Sequence, residues 1–423
     1  MDYLARIVDI ELDELLPGLP AIALEGPKAV GKTATALRRA KSVYRLDDPA
    51  ELEIATTDPD RLVRGRRPVL IDEWQRLPSS WDRVRRAVDA DRTPGQFLLT
   101  GSASPIDAPT HSGAGRISTV RMRPLSLAER RIESPTVSLR SLLTGRRDAL
   151  EGDTAVGLTD YVEEIVRSGF PAIRELTGRA LRTELDSYIE RIATRDIEDS
   201  GRPVRNQGAL RRWMAAYGAA TATTASYEKI RDAATSGEDQ KPAKTTAAPF
   251  RATLERLWII DDLPAWLPSR NHIRRLASAS RHHLADPALA ARLLGADSEL
   301  LLGGAPLGPA VPRDGTLLGA FFESLVTQSV RIYAQASEAR TEHLRTAGGE
   351  HGVDLIVERG DGRVVALEVK LGRTVGSDDV RHLAWLADQL GPELLDAVVI
   401  TAGPAAYRRS DGIGVVPASL LGP

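Results

Sequence analysis

Residues 26–33 read GPKAVGKT, which matches the phosphate-binding loop pattern G-x-x-x-x-G-K-[ST] at every fixed position. The apolar run AIAL at 21–24 predicts a buried strand before the loop, and residues 34–40 favour a helix after it. A loop in that setting holds phosphate, because its backbone N–H groups and the positive helix end face the same point. The predicted nucleotide-binding residues are Gly26, Pro27, Lys28, Ala29, Val30, Gly31, Lys32 and Thr33.

This loop predicts a nucleoside triphosphate, ATP, as the ligand and Mg²⁺ as its cofactor. Lys32 is expected to reach the β- and γ-phosphates, and the Thr33 hydroxyl is expected to hold Mg²⁺. The alternative is a glycine-rich turn that fits the pattern by chance, and the flanking strand and helix argue against it.

A second, acidic element follows the loop. Residues 68–74 read PVLIDEW, a short apolar strand that ends in Asp72 and Glu73. An acidic residue at the end of a neighbouring strand organises Mg²⁺ in P-loop enzymes, and we predict that role for Asp72. Glu73 is then predicted to polarise the water that attacks the γ-phosphate, as a general base. The alternative is a strand that ends in two solvated acids.

Two further stretches carry candidate catalytic residues. The apolar run QFLLTGS at 96–102 predicts a strand that ends in Thr100 and Ser102. The stretch HSGAGR at 111–116 ends in Arg116, just before another predicted strand. An arginine there is a candidate to stabilise transition-state charge, within one chain or across a subunit boundary. It is equally a candidate for an ordinary surface arginine.

Charge and composition exclude several classes of protein. The 423 residues carry a net charge of −2, so the chain has no global nucleic-acid signature. It contains no cysteine, which excludes disulfides, thiolate metal sites and cysteine nucleophiles. The N-terminal stretch predicts an amphipathic acidic helix and not a signal peptide, and no apolar run approaches the length of a membrane span. We therefore expect a cytoplasmic protein without membrane contact.

The pattern along the chain changes twice, which predicts three domains and an α/β fold class. Residues 1–135 alternate apolar strands with helices, as a parallel sheet requires. Residues 136–268 are predicted to form a helical middle domain, in which three short helices and an extended segment give the outline of a winged helix. Its few basic residues leave DNA binding and a purely structural linker both open. Residues 269–423 form the third domain. The strands predicted for the first domain are 20–25, 42–46, 68–72, 96–101 and 117–122.

The third domain contains a spaced set of charged residues. Residues 352–358 and 363–371 predict a β-hairpin, which brings Asp354 on the first strand close to Glu368 on the second. Lys370 lies on the same face as Glu368, and Glu323 on a predicted helix can supply a third carboxylate. This order of Asp and Glu-x-Lys resembles the core of the PD-(D/E)xK nucleases, and the resemblance implies that the carboxylates hold Mg²⁺ and the lysine positions a water. The alternative is an ordinary charged strand face.

Upstream of this hairpin, residues 281–286 (RHHLAD) predict a strand. His282 and His283 on it lack metal-ligand spacing, and we expect them to be partly buried or surface residues.

The chain resembles, over nearly its whole length, the prokaryotic AAA-type ATPases that carry a C-terminal domain of unknown function. This resemblance implies a P-loop core, a helical and winged-helix middle and a C-terminal domain like the PD-(D/E)xK restriction endonucleases. It also implies that Thr100 and Ser102 act as polar sensors of the γ-phosphate. The motifs that carry the resemblance are GPKAVGKT at 26–33, LIDEWQRLP at 70–78, FLLTGSAS at 97–104, GRISTVRMRPLSLAE at 115–129, LADPALAARLLG at 284–295 and GVDLIVERGDGRVVALEVK at 352–370.

Two functions follow as expectations. In the first, the chain is an Mg²⁺-dependent ATPase whose nucleotide state controls the nuclease-like domain, on or near nucleic acid. In the second, it is a nucleotide-gated switch or scaffold whose C-terminal domain only binds a partner, and a toxin–antitoxin or defence locus is its candidate setting. DNA, a second copy of the chain and another protein are the candidate partners.

Overall fold

A five-stranded parallel sheet forms the amino-terminal part of the molecule. The computed structural model describes residues 3–101, 113–196, 207–235, 244–267, 279–304, 308–309, 311 and 315–423. The strands of this sheet are β1 (Ala21–Glu25), β2 (Ser42–Arg45), β3 (Val69–Asp72), β4 (Phe97–Gly101) and β5 (Ser118–Arg121). Their order in the sheet is β2-β3-β4-β1-β5.

This sheet confirms the predicted parallel α/β core, and every strand bound lies within one residue of its prediction. Strands β3 and β4 are continuous apolar runs buried throughout, as strands covered by helices on both faces must be. Because all five strands are parallel, their carboxyl ends meet at one edge. The helices around the sheet are Ile7–Leu15, Lys32–Leu37, Pro49–Thr57 and Ser79–Ala90, with 3₁₀ turns at Pro59–Val63 and Trp74–Arg76.

Helices occupy most of the chain between this sheet and a second one. The helix Pro287–Leu293 shows why such segments begin where they do: proline occupies its first turn, and the Asp286 side chain accepts a hydrogen bond from the Ala288 N–H. The helices of this region are Leu127–Arg130, Leu139–Leu142, Leu158–Arg167, Pro171–Arg174, Gly178–Arg191, Gln207–Ala219, Tyr227–Ala233, Lys244–Arg256, Pro287–Leu293 and Ser298–Gly303, with a π-helical turn at Ile192–Asp196.

The three helices predicted for the winged helix are present at 207–219, 227–233 and 244–256. The extended strand after them is not formed as predicted. Ile260 and Leu263 make only isolated bridges, to Leu284 and Arg281. The stretch 281–286, also predicted as a strand, therefore forms the other half of this irregular pairing. Within the described part of this region no β-hairpin forms a wing, and the winged helix stays a prediction.

A six-stranded sheet forms the carboxyl-terminal part. Its strands are β7 (Arg340–Arg345), β8 (Gly352–Glu358), β9 (Val364–Lys370), β10 (Leu394–Thr401), β11 (Tyr407–Arg408) and β12 (Gly414–Pro417). They lie in the order β11-β12-β10-β9-β8-β7, and helices Leu317–Ala336 and Ser377–Leu390 pack against them. The predicted hairpin of β8 and β9 is confirmed, with its turn closed by the Gly362 N–H donating to the Arg359 carbonyl oxygen at 2.8 Å.

Residues 136–154 lie against this carboxyl-terminal sheet, far from it in sequence. Strand β6 (Val137–Ser138) pairs in parallel with β13 (Leu421–Gly422) in a separate two-stranded sheet. The side chain of Arg147 donates to the Leu395 carbonyl oxygen at 3.0 Å, and the Ala406 N–H donates to Gly152 at 2.8 Å. The segment therefore covers one side of the sheet that β10 and β12 help to form.

Among the helices that the structure describes, none has the length and apolar character needed to cross a bilayer.

Candidate nucleotide site and carboxylate cluster

The loop Gly26–Thr33 lies between β1 and the helix Lys32–Leu37, at the carboxyl edge of the parallel sheet. A Cβ atom on Gly26 would lie 2.1 Å from the Met122 carbonyl oxygen, so no other residue fits there without moving the backbone. Gly31 has a φ of +102°, a conformation that favours glycine. The two glycines of the pattern are thus required by the loop geometry.

The ammonium group of Lys32 folds back into the loop. Its Nζ donates to the carbonyl oxygens of Gly26 and Pro27, each at 2.8 Å. Burial lowers the pKa of Lys32 to about 8, while the nearby Glu73 carboxylate acts in the opposite direction. The side chain is only 6% exposed. A cation held inside the loop is suited to receive phosphate.

Two predicted hydroxyl side chains converge on one carboxylate oxygen of Asp72. Thr33 Oγ1 donates to Asp72 Oδ1 at 2.7 Å, and the Thr100 hydroxyl donates to the same oxygen in a short hydrogen bond. Asp72 and Thr100 are register partners at the ends of β3 and β4, which explains why they meet. Hydroxyl and carboxylate oxygens are the ligands that Mg²⁺ prefers. The side chains of Thr33 and Asp72 therefore fit this ion.

Glu73 follows β3 at the same edge of the sheet. Its backbone has a φ of +54°, unusual for a residue with a side chain, at the start of a 3₁₀ turn. The carboxylate accepts a hydrogen bond from the Gln75 side chain and acts electrostatically on Lys32. Its position agrees with the predicted general base, and that role stays a prediction. Ser102 lies outside the described residues.

Arg116 does not reach this site within the chain. It precedes the amino end of β5, whereas the phosphate-binding loop follows the carboxyl end of β1, and these two strands are parallel with Ser118 opposite Ile22. The Arg116 guanidinium pairs instead with Asp89, with Nε 2.8 Å from Oδ1. The prediction of a catalytic role within one chain is therefore wrong, because Arg116 and the phosphate-binding loop lie at opposite edges of the sheet. A role across a subunit boundary stays a prediction.

Two side chains that sequence reasoning missed hold the outer side of the loop. Arg6 Nη1 donates to the Val30 carbonyl oxygen at 2.8 Å, and its Nε pairs with Glu129 at 3.0 Å. Tyr188, on the helix Gly178–Arg191, donates to the Lys28 carbonyl oxygen at 3.1 Å. In the sequence, Tyr188 is recognisable only as one of several apolar residues at helical spacing, which does not indicate a contact with the loop. The loop is therefore in contact with the segment before β1 and with the helical region.

The carboxyl-terminal candidates also come together. Leu355 on β8 is the register partner of Leu367 on β9, which places Asp354 close to Glu368. Lys370 Nζ donates to Glu368 Oε1 at 2.9 Å. A cavity of about 950 Å³ is lined by these three charged residues, Asp354, Glu368 and Lys370. Glu323, from the helix Leu317–Ala336, also lines it.

A residue that was not predicted completes this cluster. Arg281 Nη1 donates to Asp354 Oδ1 at 2.8 Å and also to the Glu323 carboxylate in a very short contact. Among the residues that the structure describes, no three Asp, Glu or His side chains are arranged to hold a metal ion. The predicted Mg²⁺ site at Glu323, Asp354 and Glu368 therefore does not fit this arrangement, because a guanidinium lies between two of its carboxylates.

Burial and mutual repulsion shift the acids of this cluster. Burial raises the pKa of Glu323 and of Glu368, and the neighbouring Asp354 raises both further, while Arg281 and Lys370 act in the opposite direction. For Arg281, burial alone would lower the pKa, but the Glu323 and Asp354 carboxylates raise it overall. The guanidinium is thus the permanent charge of the cluster.

The two histidines next to Arg281 are fully buried, whereas the sequence predicts partly buried or surface residues. His283 Nδ1 lies 3.1 Å from Ser324 Oγ, and burial, together with the charges of Arg331 and Arg281, lowers the pKa of His283 to about 3. His282 Nε2 lies 2.7 Å from the Ala225 carbonyl oxygen.

Comparison with known proteins agrees with the nucleotide site. Residues 19–130 match the family model of an AAA domain. Residues 158–300 match a domain of unknown function (DUF8612), and residues 318–421 match another (DUF4143). The amino-terminal part is therefore similar to AAA domains, which supports the P-loop ATPase class predicted for it. The carboxyl-terminal match carries no activity, so the nuclease-like prediction is not tested by it.

Similar proteins cover most of the chain. The uncharacterized proteins Rv2008c of Mycobacterium tuberculosis and Mb2031c of Mycobacterium bovis are each 25% identical over 413 residues, which is 95% of this chain and 81% of the relative. The Walker-type ATPase PABY2304 of Pyrococcus abyssi has 16% sequence identity and a TM-score of 0.40, over 69% of this chain and 96% of that structure.

Proposed function

We propose that the chain binds ATP with Mg²⁺ and hydrolyses it. The observation that carries this proposal is the convergence of Lys32, Thr33, Asp72 and Glu73 at one edge of a parallel sheet. A protein that only bound nucleotide would need the first three. A carboxylate placed next to the Mg²⁺ residue is the additional group that hydrolysis uses.

Each side chain then has a distinct role. The Lys32 ammonium exchanges its hydrogen bonds to two loop carbonyl oxygens for contacts with the β- and γ-phosphates, whose negative charge it neutralises. Thr33 and Asp72 hold Mg²⁺, which supplies charge neutralisation at the phosphates when bound. Glu73 takes the proton of the water whose oxygen bonds to the γ-phosphorus, as the bond to the ADP oxygen breaks. Thr100, bonded to Asp72, keeps that carboxylate in place.

We further propose that the nucleotide state controls the carboxyl-terminal cavity. The Asp261 carboxylate supports a physical connection, because it contacts Arg123 at 2.8 Å and Arg331 at 3.2 Å. Arg123 follows β5 next to the phosphate-binding loop, and Arg331 lies on the helix that carries Glu323. A shift of the loop on ATP binding is thereby transmitted toward the carboxylate cluster.

The nuclease-like part of this proposal is supported by the order of elements. A helix, three antiparallel strands, a second helix and a parallel strand follow one another from Leu317 to Thr401, with the charged residues on the helix and the second and third strands. We propose the domains 1–135, 136–268 and 269–423 for the ATPase, helical and restriction-endonuclease-like parts, with nucleic acid or a second copy as partner.

The alternative, a nucleotide-gated scaffold, is favoured by one observation. Arg281 already pairs with Glu323 and Asp354, and such a cluster is better suited to binding than to metal-dependent cleavage.

Turnover of ATP tests the primary proposal. We expect Glu73→Gln to lower turnover by about 100-fold or more while ATP still binds, since general bases contribute that much. Lys32→Ala should abolish ATP binding. The matched controls are Glu53→Gln and Lys41→Ala, both exposed on the same domain, and both should turn over like wild type. Tight binding without turnover in wild type would reject hydrolysis and leave the scaffold. Adding DNA to each reaction tests nucleic acid as the partner.

A further inference from the structure

The segment that carries Arg281 is held on both sides by backbone hydrogen bonds. The N–H groups of Arg281 and Leu263 each donate to the other's carbonyl oxygen at 2.9 Å. On the opposite side, His282 donates to Thr223 at 3.0 Å, and the Ala222 N–H donates to the His282 carbonyl oxygen at 2.9 Å. The backbone of Arg281 is therefore held in place independently of the contacts that its side chain makes.

The guanidinium occupies the point where two carboxylates from different elements converge. The side chains of Arg281, Glu323 and Asp354 are 11%, 16% and 12% exposed, so both ion pairs of the guanidinium are shielded from bulk water. At such a place a second cation would repel the first strongly. Displacing the guanidinium would leave a buried charge without its partner, which is unfavourable.

The remaining acid of the cluster offers too little for a metal ion by itself. Glu368 Oε1 accepts from Lys370, and Oε2 is buried without a hydrogen-bond partner. Divalent Mg²⁺ and Ca²⁺ need several oxygen ligands. Glu368 lines the cavity, and its single unpartnered oxygen is instead suited to accept one hydrogen bond from an N–H or O–H donor.

We propose that Arg281 is the resident cation of this cluster, so that the carboxyl-terminal cavity binds its ligand through hydrogen-bond donors and without a divalent metal. The inference deepens the proposed role of this cavity, and it is independent of ATP hydrolysis. It also gives Arg281 a defined role: the residue holds Glu323 and Asp354 together in the way that a metal ion would.

Binding of Mn²⁺ to the full-length protein without nucleotide tests this inference. The parent protein carries Asp72→Asn, which removes the metal ligand of the ATPase site. We expect electron paramagnetic resonance to detect no tight Mn²⁺ site in the parent. Arg281→Met, which keeps the length of the side chain and removes its charge, should create one site, with affinity higher by about tenfold or more. A further Asp354→Asn change should remove that site.

Arg281→Lys is the matched control, because it keeps a cation in the cluster and should gain no Mn²⁺ site. Thermal melting gives a second readout: Mn²⁺ should raise the melting temperature of Arg281→Met and leave the parent unchanged. A Mn²⁺ site in the parent that Asp354→Asn abolishes would overturn the inference, and so would a folded Arg281→Met protein without the gain. If Arg281→Met does not fold, the parent and the Arg281→Lys protein decide the question. None of these measurements involves ATP turnover.

Discussion

Lys32 is a residue whose charge depends on what occupies the phosphate-binding loop. Burial lowers its pKa to about 8, and a bound triphosphate would raise that pKa because it brings negative charge close to the ammonium. Binding therefore takes up a proton once the pH exceeds about 8. We expect ATP affinity to be constant below that pH and to weaken by up to about tenfold per pH unit above it.

Isothermal titration calorimetry across pH 6.5–9.5 measures this change. Lys32→Arg is the control, since arginine stays charged over this range, and its ATP affinity should not fall in the same way. Equal pH profiles for the two proteins would show that another group is responsible.

At the scale of single residues, the sequence predicted those whose roles depend on local spacing. Lys32 and Thr33 are fixed by their own loop, and Asp72 meets them because parallel strands end at one edge. Arg116 was assigned by proximity in sequence to β5, and the strand direction places it at the wrong edge. Arg281 could not be found, because it meets Asp354 only through the tertiary fold.

The extended segment 281–283 buries His283, and this burial favours the neutral form of its imidazole. Burial lowers the pKa of His283 to about 3, below its unfolded value of about 6.5. The unfolded chain thus binds a proton that the folded chain does not, and stability is lost as the pH falls from 6.5 toward 3. We expect His283→Asn to reduce the loss of stability between pH 7 and pH 5 by about 1–2 kcal/mol, as measured by urea unfolding.

Ser324→Ala is the control for that experiment. It removes the partner of His283 Nδ1 and leaves the imidazole in place, so the acid dependence should persist. An unchanged pH slope in His283→Asn would show that this histidine does not determine the acid sensitivity of the segment.

Elements were predictable where their own sequence determines them. The strands β1, β3 and β4 are short apolar runs, and the hairpin of β8 and β9 has a glycine-containing turn. The edge strand β7 reads RTEHLR and was not predicted, since its polar pattern gains order only from pairing with β8. The pairing of 259–263 with 281–285 was not predicted for another reason: both segments are predicted as extended, but only the tertiary fold brings them together.

At the scale of the whole molecule, Asp261 connects the parallel sheet, through Arg123, with the helix Leu317–Ala336, through Arg331. Burial would raise its pKa, but the guanidinium groups of Arg123 and Arg331 hold it well below the usual range. Asp261→Asn removes the negative charge and deprives both arginines of the carboxylate that they contact. We expect a loss of about 3 kcal/mol of unfolding free energy, which is typical when one partner of a buried ion pair is removed. Chemical denaturation measures the loss.

Asp13→Asn is the matched control, because Asp13 is 67% exposed and pairs with Arg39 at the surface. Its cost should stay below about 0.5 kcal/mol. A similar small cost for Asp261→Asn would mean that the connection between the two parts has little energetic weight.

The cover that residues 136–154 place on the carboxyl-terminal sheet affects how the chain can be divided. A polypeptide limited to residues 269–423 would lack β6, the partner of its last strand, and the Arg147 side chain that reaches the Leu395 carbonyl. Adding a peptide of residues 136–154 to that fragment should therefore restore order to the sheet by complementation in trans. The smallest piece of the gene that encodes a stable carboxyl-terminal unit is then discontinuous.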